Sequence, residues 1–358
     1  MAAALQVHAG PRAREHLRAH GLQASNVRAI PAAAGGPKGL ILNPLDRFLF
    51  GRWLPASTHT VHLLGASIGA WRMASACLND ADAALAALAE DYIVQDYEHA
   101  PGKPPTARHV SQSFGAKLAE HFGGREAEVL QHPRFRLHVF TSHGRHLLAR
   151  QGRIRTPLGY AGAFAANALH RRALGGWIER VVFSDPREPL PLPLAGIRTQ
   201  QAVLADDNLR LAILASCSIP FWLDAVHDIP GGPRGAYWDG GIADYHLHLD
   251  YAAIDDGLVL YPHFQNTVVP GWLDKALKRR HRATSRLDNL VLLAPRPEWV
   301  ATLPRGKLPD RADFKFHGDD VPARVRDWRR VLAESQRLAD EFEALVAGGR
   351  TIEALPLP

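Results

Sequence analysis

Cysteine is nearly absent from this chain: Cys77 and Cys217 are the only two in 358 residues. That excludes a disulfide framework and a cysteine-rich metal site. Long apolar runs are missing too, and none reaches the roughly 18–20 residues needed to span a bilayer. The opening MAAALQVHAGPRAREH has too short an apolar part, and meets charge too soon, for a secretory signal. A cytoplasmic location is therefore expected. No internal repeat and no low-complexity segment interrupts the chain. Nor is there an excess of charge in one block: 42 Lys and Arg against 36 Asp and Glu leave a net +6 spread along the sequence. The densest basic stretch, 275–286 (KALKRRHRATSR), has no interleaved aromatics, so a single-stranded nucleic-acid platform is excluded. Two readings of it stay open, a solvated surface and a peripheral contact with an anionic membrane.

What is present is an ordinary globular composition, 46% hydrophobic and 22% charged, in a chain long enough for a large core. Strand-like runs at 26–34 and 58–64 alternate with helical patterns at 40–54 and 68–78. This predicts βαβ units and a mainly parallel sheet covered on both faces. Further helices are expected at 82–97 and 110–122, separated by a Pro-rich loop, HAPGKPPTAR. Strands are expected at 134–142, where the pattern alternates, and at 177–184, 200–204, 258–261 and 290–293. A helix at 206–216 would be capped by Asp206 or Asp207. Val325, Trp328, Val331, Leu332, Leu338, Phe342, Leu345 and Val346 share one helical face, which predicts a long packing helix stopped at Gly348.

Three segments carry chemistry. Gly65-Ala66-Ser67-Ile68-Gly69 follows an apolar run and opens a helix, which is the context of a nucleophilic serine on a sharp strand-to-helix bend. Gly65 and Gly69 spare the bend and its neighbours the crowding of side chains. Ile68 begins the helix, so its amide lies beside Ser67. Gly35-Gly36-Pro37-Lys38-Gly39, at a predicted strand end, could turn backbone amides toward an oxyanion. It lacks the Ser or Thr after lysine that a nucleotide-binding P-loop needs. Tyr237-Trp238-Asp239-Gly240-Gly241 places an acid at a strand end before a tight turn, and with the other two segments Asp239 becomes a candidate general base.

In this order the segments resemble the patatin-like phospholipase family, over about 27–245. A fourth stretch, Ala215-Ser216-Cys217-Ser218-Ile219-Pro220-Phe221, is similar to the family's Ala-Ser-x-Ala-x-Pro segment. The chain departs from the pattern at Ala33 and Ala34, where the family's loop has Asp and Gly, at Lys38, where arginine is usual, and at Ser218. Lysine keeps the charge but gives up arginine's planar fork.

The resemblance implies a three-layer α/β/α fold with a mainly parallel central sheet. It would occupy 1–270, with a helical extension at 271–358 packed on the same domain. It also implies a lipid acyl hydrolase acting on phospholipid, lysophospholipid or acylglycerol esters, without cofactor or metal. Its catalytic pair would be Ser67 and Asp239, with Gly35, Gly36, Pro37, Lys38, Gly39 and Ile68 around the oxyanion and Gly65, Gly69, Gly240 and Gly241 as motif glycines. Trp71, Phe221, Trp222 and Trp238 are the apolar neighbours expected to keep such a site dry. Two alternatives stand beside it. One is an α/β-hydrolase esterase whose triad takes a late histidine, His246, His248 or His263. The other is a non-catalytic lipid-binding protein that keeps the fold. A metal at His246 and His248 with Asp244 and Asp250 lacks a completing cluster elsewhere in the sequence.

Overall fold

The structure is a computed structural model, and it describes residues 3–99 and 103–358. Of the loop expected around 99–108, residues 100–102 lie outside the described residues. The strands are β1 (Leu5–Ala9), β2 (Val27–Ala32), β3 (Val61–Ala66), β4 (Phe135–Gly144), β5 (Ile178–Ser184), β6 (Thr199–Val203), β7 (Val226–His227), β8 (Ala236–Trp238), β9 (Leu258–Pro262), β10 (Leu290–Pro295) and β11 (Leu355–Pro356). They form one sheet in the order β11-β1-β10-β9-β2-β3-β4-β5-β6, with the β7–β8 pair attached to β4. From β10 through β9, β2 and β3 to β4 every neighbour is parallel. Antiparallel pairing appears outside that block, at β1 with β10 and at β4 with β5. With helices on both faces, this is a three-layer α/β/α fold with a mixed, mostly parallel sheet. β3, β9 and β10 are buried along their whole length, as continuous apolar runs in a doubly covered sheet should be.

Several expectations are corrected. The strand expected at 134–142 is β4, and although its sequence alternates, all of it is buried, polar residues included. Its polar side chains find partners: His138 bonds to Ser184 at 3.0 Å and Thr141 donates to the Val181 carbonyl at 2.8 Å. The expected helix 40–54 is a relay of short pieces: a 3-10 turn at Gly36–Leu42, an α-helix at Asn43–Phe48, a π-turn at Leu49–Trp53 and a further 3-10 turn. Pro44 and Pro55 each sit in the first turn of a piece, where a missing N–H costs least. The helix expected at 206–216 is Leu209–Cys217, and Asn208, rather than Asp206 or Asp207, takes the cap position.

The single long C-terminal helix is two, Val321–Glu334 and Gln336–Val346. Ser335 separates them, and its hydroxyl donates back to the Val331 carbonyl at 2.7 Å, a bond that bends helices. The predicted apolar face does point inward: Trp328, Val331, Leu338 and Phe342 are buried. β10 falls inside the stretch expected to be a helical extension and lies between β1 and β9 in the sheet.

Candidate active site

The sheet brings Ser67 and Asp239 together by an end-to-end arrangement of two strands. β3 runs parallel to β4 and its last residue, Ala66, lies opposite Phe140. β8 runs antiparallel to β4 and its last residue, Trp238, lies opposite Ser142. Since β5 occupies the other edge of β4 there, β3 and β8 approach each other along the same edge. The next residues of the two strands are Ser67 and Asp239, which meet in the gap. The Ser67 hydroxyl donates to Asp239 Oδ2 at 2.7 Å, and both residues are buried.

The local backbone is dictated by close approach. Ser67 has φ 55° and ψ −130°, a strained conformation for a residue with a Cβ, and it caps the helix Ile68–Ala76. A Cβ on Gly65 would lie 2.3 Å from Ala70 Cα, and one on Gly69 would lie 2.0 Å from the Ala32 carbonyl oxygen. Both motif glycines are therefore required by backbone contacts. At the acid turn, a Cβ on Gly240 would lie 2.0 Å from the Phe140 oxygen, and one on Gly241 would lie 2.6 Å from Ala34 Cβ.

Ser216 ties these pieces together. Its hydroxyl donates to the Phe140 carbonyl at 2.7 Å and accepts from the Ser67 amide at 2.8 Å. Its carbonyl accepts from the Gly240 amide at 3.0 Å, while the Asp239 amide donates to the Ser218 carbonyl at 2.9 Å. One serine thus holds the elbow, the central strand and the acid turn at fixed distances. Its only sequence signal is the Ala-Ser-x segment quoted above.

A cavity of ≈ 270 Å³ opens on the pair. Its walls include Ala34 and Gly35 of the glycine loop, Ile219, Pro220 and Ile242, the rings of Tyr245 and Trp272, and the cations Lys38, Lys275 and Arg311. Trp71, Phe221, Trp222 and Trp238, expected to supply dryness, are not among these walls. Trp71 and Trp238 belong to the core, and Phe221 and Trp222 are more than half exposed. The Gly35 and Gly36 amides lie at the start of the turn Gly36–Leu42, and the Ile68 amide opens its helix. First-turn amides have no acceptor within their own helix. Gly36 takes φ +57°, and Pro37 has no N–H to offer.

Burial pushes the Asp239 carboxyl up to about 6. The Ser67 hydroxyl, the Arg311 charge, the Gly241 amide (2.7 Å to Oδ1) and Lys275 all pull the other way. Lys275 is held down to about 8 by burial and by the charges of Lys38 and Arg311. The Cys217 thiol beside Ser67 is kept protonated by burial and by Asp239.

No histidine lines the cavity. His246 Nδ1 accepts from the Val269 amide at 2.9 Å and His263 Nδ1 accepts from the Gln265 amide at 3.0 Å. Burial lowers both, and His248 as well. Asp244 is bound to Arg180 in a buried pair at 2.5 Å. Among the described residues no group of three His, Cys, Asp or Glu side chains converges on a metal position. The basic stretch 275–286 divides by role. Lys275 is exposed at the cavity wall, Arg280 bonds to the buried Asp274 at 2.7 Å, and Lys278, Arg279, Arg282 and Arg286 face solvent. Among the described residues no helix is long and apolar enough to cross a membrane.

A serine on a strained strand-to-helix elbow, bonded to a buried aspartate at the end of a neighbouring strand, thus sits at the strand ends of a three-layer α/β/α fold. The family model for patatin-like phospholipase matches residues 52–247, more than half of the chain, and the chain belongs to that family, whose members are generally lipid acyl hydrolases. The match includes Ser67 and Asp239 but begins after the glycine loop at 35–39. No curated protein matches the chain.

Proposed function

We propose that the protein hydrolyses carboxylic esters of lipids through a Ser67–Asp239 dyad and an acyl-enzyme. The observation that carries this is the 2.7 Å bond from the Ser67 hydroxyl to Asp239 Oδ2, made by a serine in a strained elbow at the floor of a cavity. As Ser67 Oγ attacks the ester carbonyl, its proton passes to Asp239 Oδ2. The carbonyl oxygen becomes an oxyanion, which the amides of Gly35, Gly36 and Ile68 receive in this scheme. Lys38 and Gly39 complete that loop, and Pro37 shapes it without donating. Collapse of the tetrahedral adduct breaks the ester C–O bond, and the leaving oxygen takes the proton from Asp239. Water then adds to the acyl-enzyme with Asp239 again accepting a proton, and Ser67 recovers its hydroxyl as the acid departs.

An aspartate at its ordinary pKa is a weak base toward an alcohol. At about 6, the Asp239 carboxylate is a stronger base, yet most of it is ionised at neutral pH. The solvent-facing part of 275–286 offers a peripheral contact to anionic lipid, which salt would weaken.

Active-site labelling with a fluorophosphonate, followed by peptide mapping, tests the reading. Label is expected on Ser67, absent in Ser67→Ala and strongly reduced in Asp239→Asn. Folded wild-type protein that takes no label would overturn the hydrolase and favour a lipid-binding role for the fold.

A further inference from the structure

Three cations line the Ser67 cavity: Lys38, Lys275 and Arg311. Two carboxylates share it, Asp239 and Asp310. Asp310 also faces Lys38, but its Oδ1 lies 2.9 Å from Lys307 Nζ, so its charge is already matched. Asp239 is bonded to Ser67 and to the Gly241 amide. Among the described residues Lys38, Lys275 and Arg311 make no ion pair within 4.0 Å. Three cations against two carboxylates leave the lining a surplus of one positive charge, which becomes two where Asp310 is counted as matched by Lys307 from outside the cavity.

Like charges crowded beside one another cost free energy unless something anionic joins them. Arg311 lies at the glycine loop itself: a Cβ on Gly36 would fall 3.7 Å from Arg311 Nε and 3.8 Å from Nη2. Lys275 is lowered first by burial and then by the charges of Lys38 and Arg311, which places it near both of the other cations.

The aromatic walls sharpen the choice of ligand. A choline-type head would need an aromatic face for its quaternary ammonium. Tyr245 and Trp272 are the two rings in the cavity, and Lys275 Nζ stands over both, 4.1 Å and 5.9 Å from their centroids. A second cation would have to compete with Lys275 for those faces.

Resting on the hydrolase reading, we propose that Lys275, Arg311 and Lys38 form an anion subsite beside the scissile bond. It selects acyl esters with a bare phosphate or carboxylate group over zwitterionic choline lipids and neutral acylglycerols. All three cations lie outside the segment 52–247 matched by the family model. The matched segment supplies the reacting pair, and the flanking chain supplies the selectivity.

Calorimetric binding to folded Ser67→Ala protein tests this apart from turnover. The probes are an alkyl phosphate, the alkyl phosphocholine and the alkyl glycerol ether of the same chain length, each below its micelle concentration, and inorganic phosphate. The alkyl phosphate should bind at least about tenfold tighter than the other two amphiphiles. Adding Lys275→Gln or Arg311→Gln should each cost about tenfold for the phosphate alone, the loss of one charge-assisted contact.

Equal affinity for the three head groups, or equal losses for all of them in the variants, would overturn the subsite. Inorganic phosphate binding as tightly as the alkyl phosphate would overturn the assignment to a lipid ester. Fluorophosphonate labelling of wild type separates the two proposals. Labelled protein without head-group discrimination keeps the hydrolase and removes the subsite. Discrimination by a protein that never labels does the reverse.

Discussion

Asp239 is expected to destabilise the fold it serves, by an amount that changes with pH. Its ordinary pKa is 3.8, and burial in the folded protein raises it to about 6. Between these values the native state binds more protons than the unfolded chain, so stability falls as pH rises through the window. Below pH 3.8 the group is neutral in both states and the penalty is absent. Above pH 6 it is fully present, and a difference of about two pKa units corresponds to roughly 3 kcal/mol. Asp239→Asn removes the titration: its one oxygen can still accept from the Gly241 amide, and its NH2 can donate to the Ser67 oxygen where the carboxylate had accepted. Relative to wild type, the variant should gain roughly 2.4 kcal/mol between pH 4 and pH 8 while losing esterase activity. Urea denaturation of both proteins at pH 4, 6 and 8 measures this directly. A stability difference that does not change with pH would refute the reasoning. The kcat/KM of wild type should rise through about pH 6 as the same carboxylate ionises.

Ser216→Ala leaves the Ser67 amide and the Phe140 carbonyl without their buried partner, and should cost about 1–3 kcal/mol in denaturation together with slower fluorophosphonate labelling. Gly69→Ala would drive a methyl to 2.0 Å from the Ala32 oxygen, so a loss of about 3 kcal/mol or more, read as a lowered Tm, is expected. Asp46 and Arg72 form a buried ion pair at 2.7 Å that ties the helix Asn43–Phe48 to the serine's helix. Asp46→Asn should cost about 3–5 kcal/mol in urea by stranding the guanidinium.

The central strands and the serine elbow were legible because their signals are local. Continuous apolar runs mark doubly covered strands, and a glycine two residues on either side of a serine marks a turn. β1 and β11 were not legible, since five and two residues carry too little pattern and exist only by pairing with each other and with β10. The helix Arg155–Leu169 escaped for another reason: Leu158, Phe164 and Leu169 face outward, so its apolar residues do not form one inward stripe. Asp239 could be picked out by its turn, but Lys275 and Arg311 could not. Nothing near them in sequence distinguishes a cavity cation from the neighbouring surface arginines; both are exposed, and only the tertiary fold brings them to the cavity wall.

The end-to-end meeting of β3 and β8 also sets a clock. Ser67 and Asp239 are 172 residues apart, and they touch only when both β3 and β8 are docked on β4. Pairings over such a separation are slow to form. A folding chain that has completed β2, β3 and the elbow holds a serine without its carboxylate. Under the proposed function such a chain is silent toward esters, and the first turnover can come no earlier than the docking of β8.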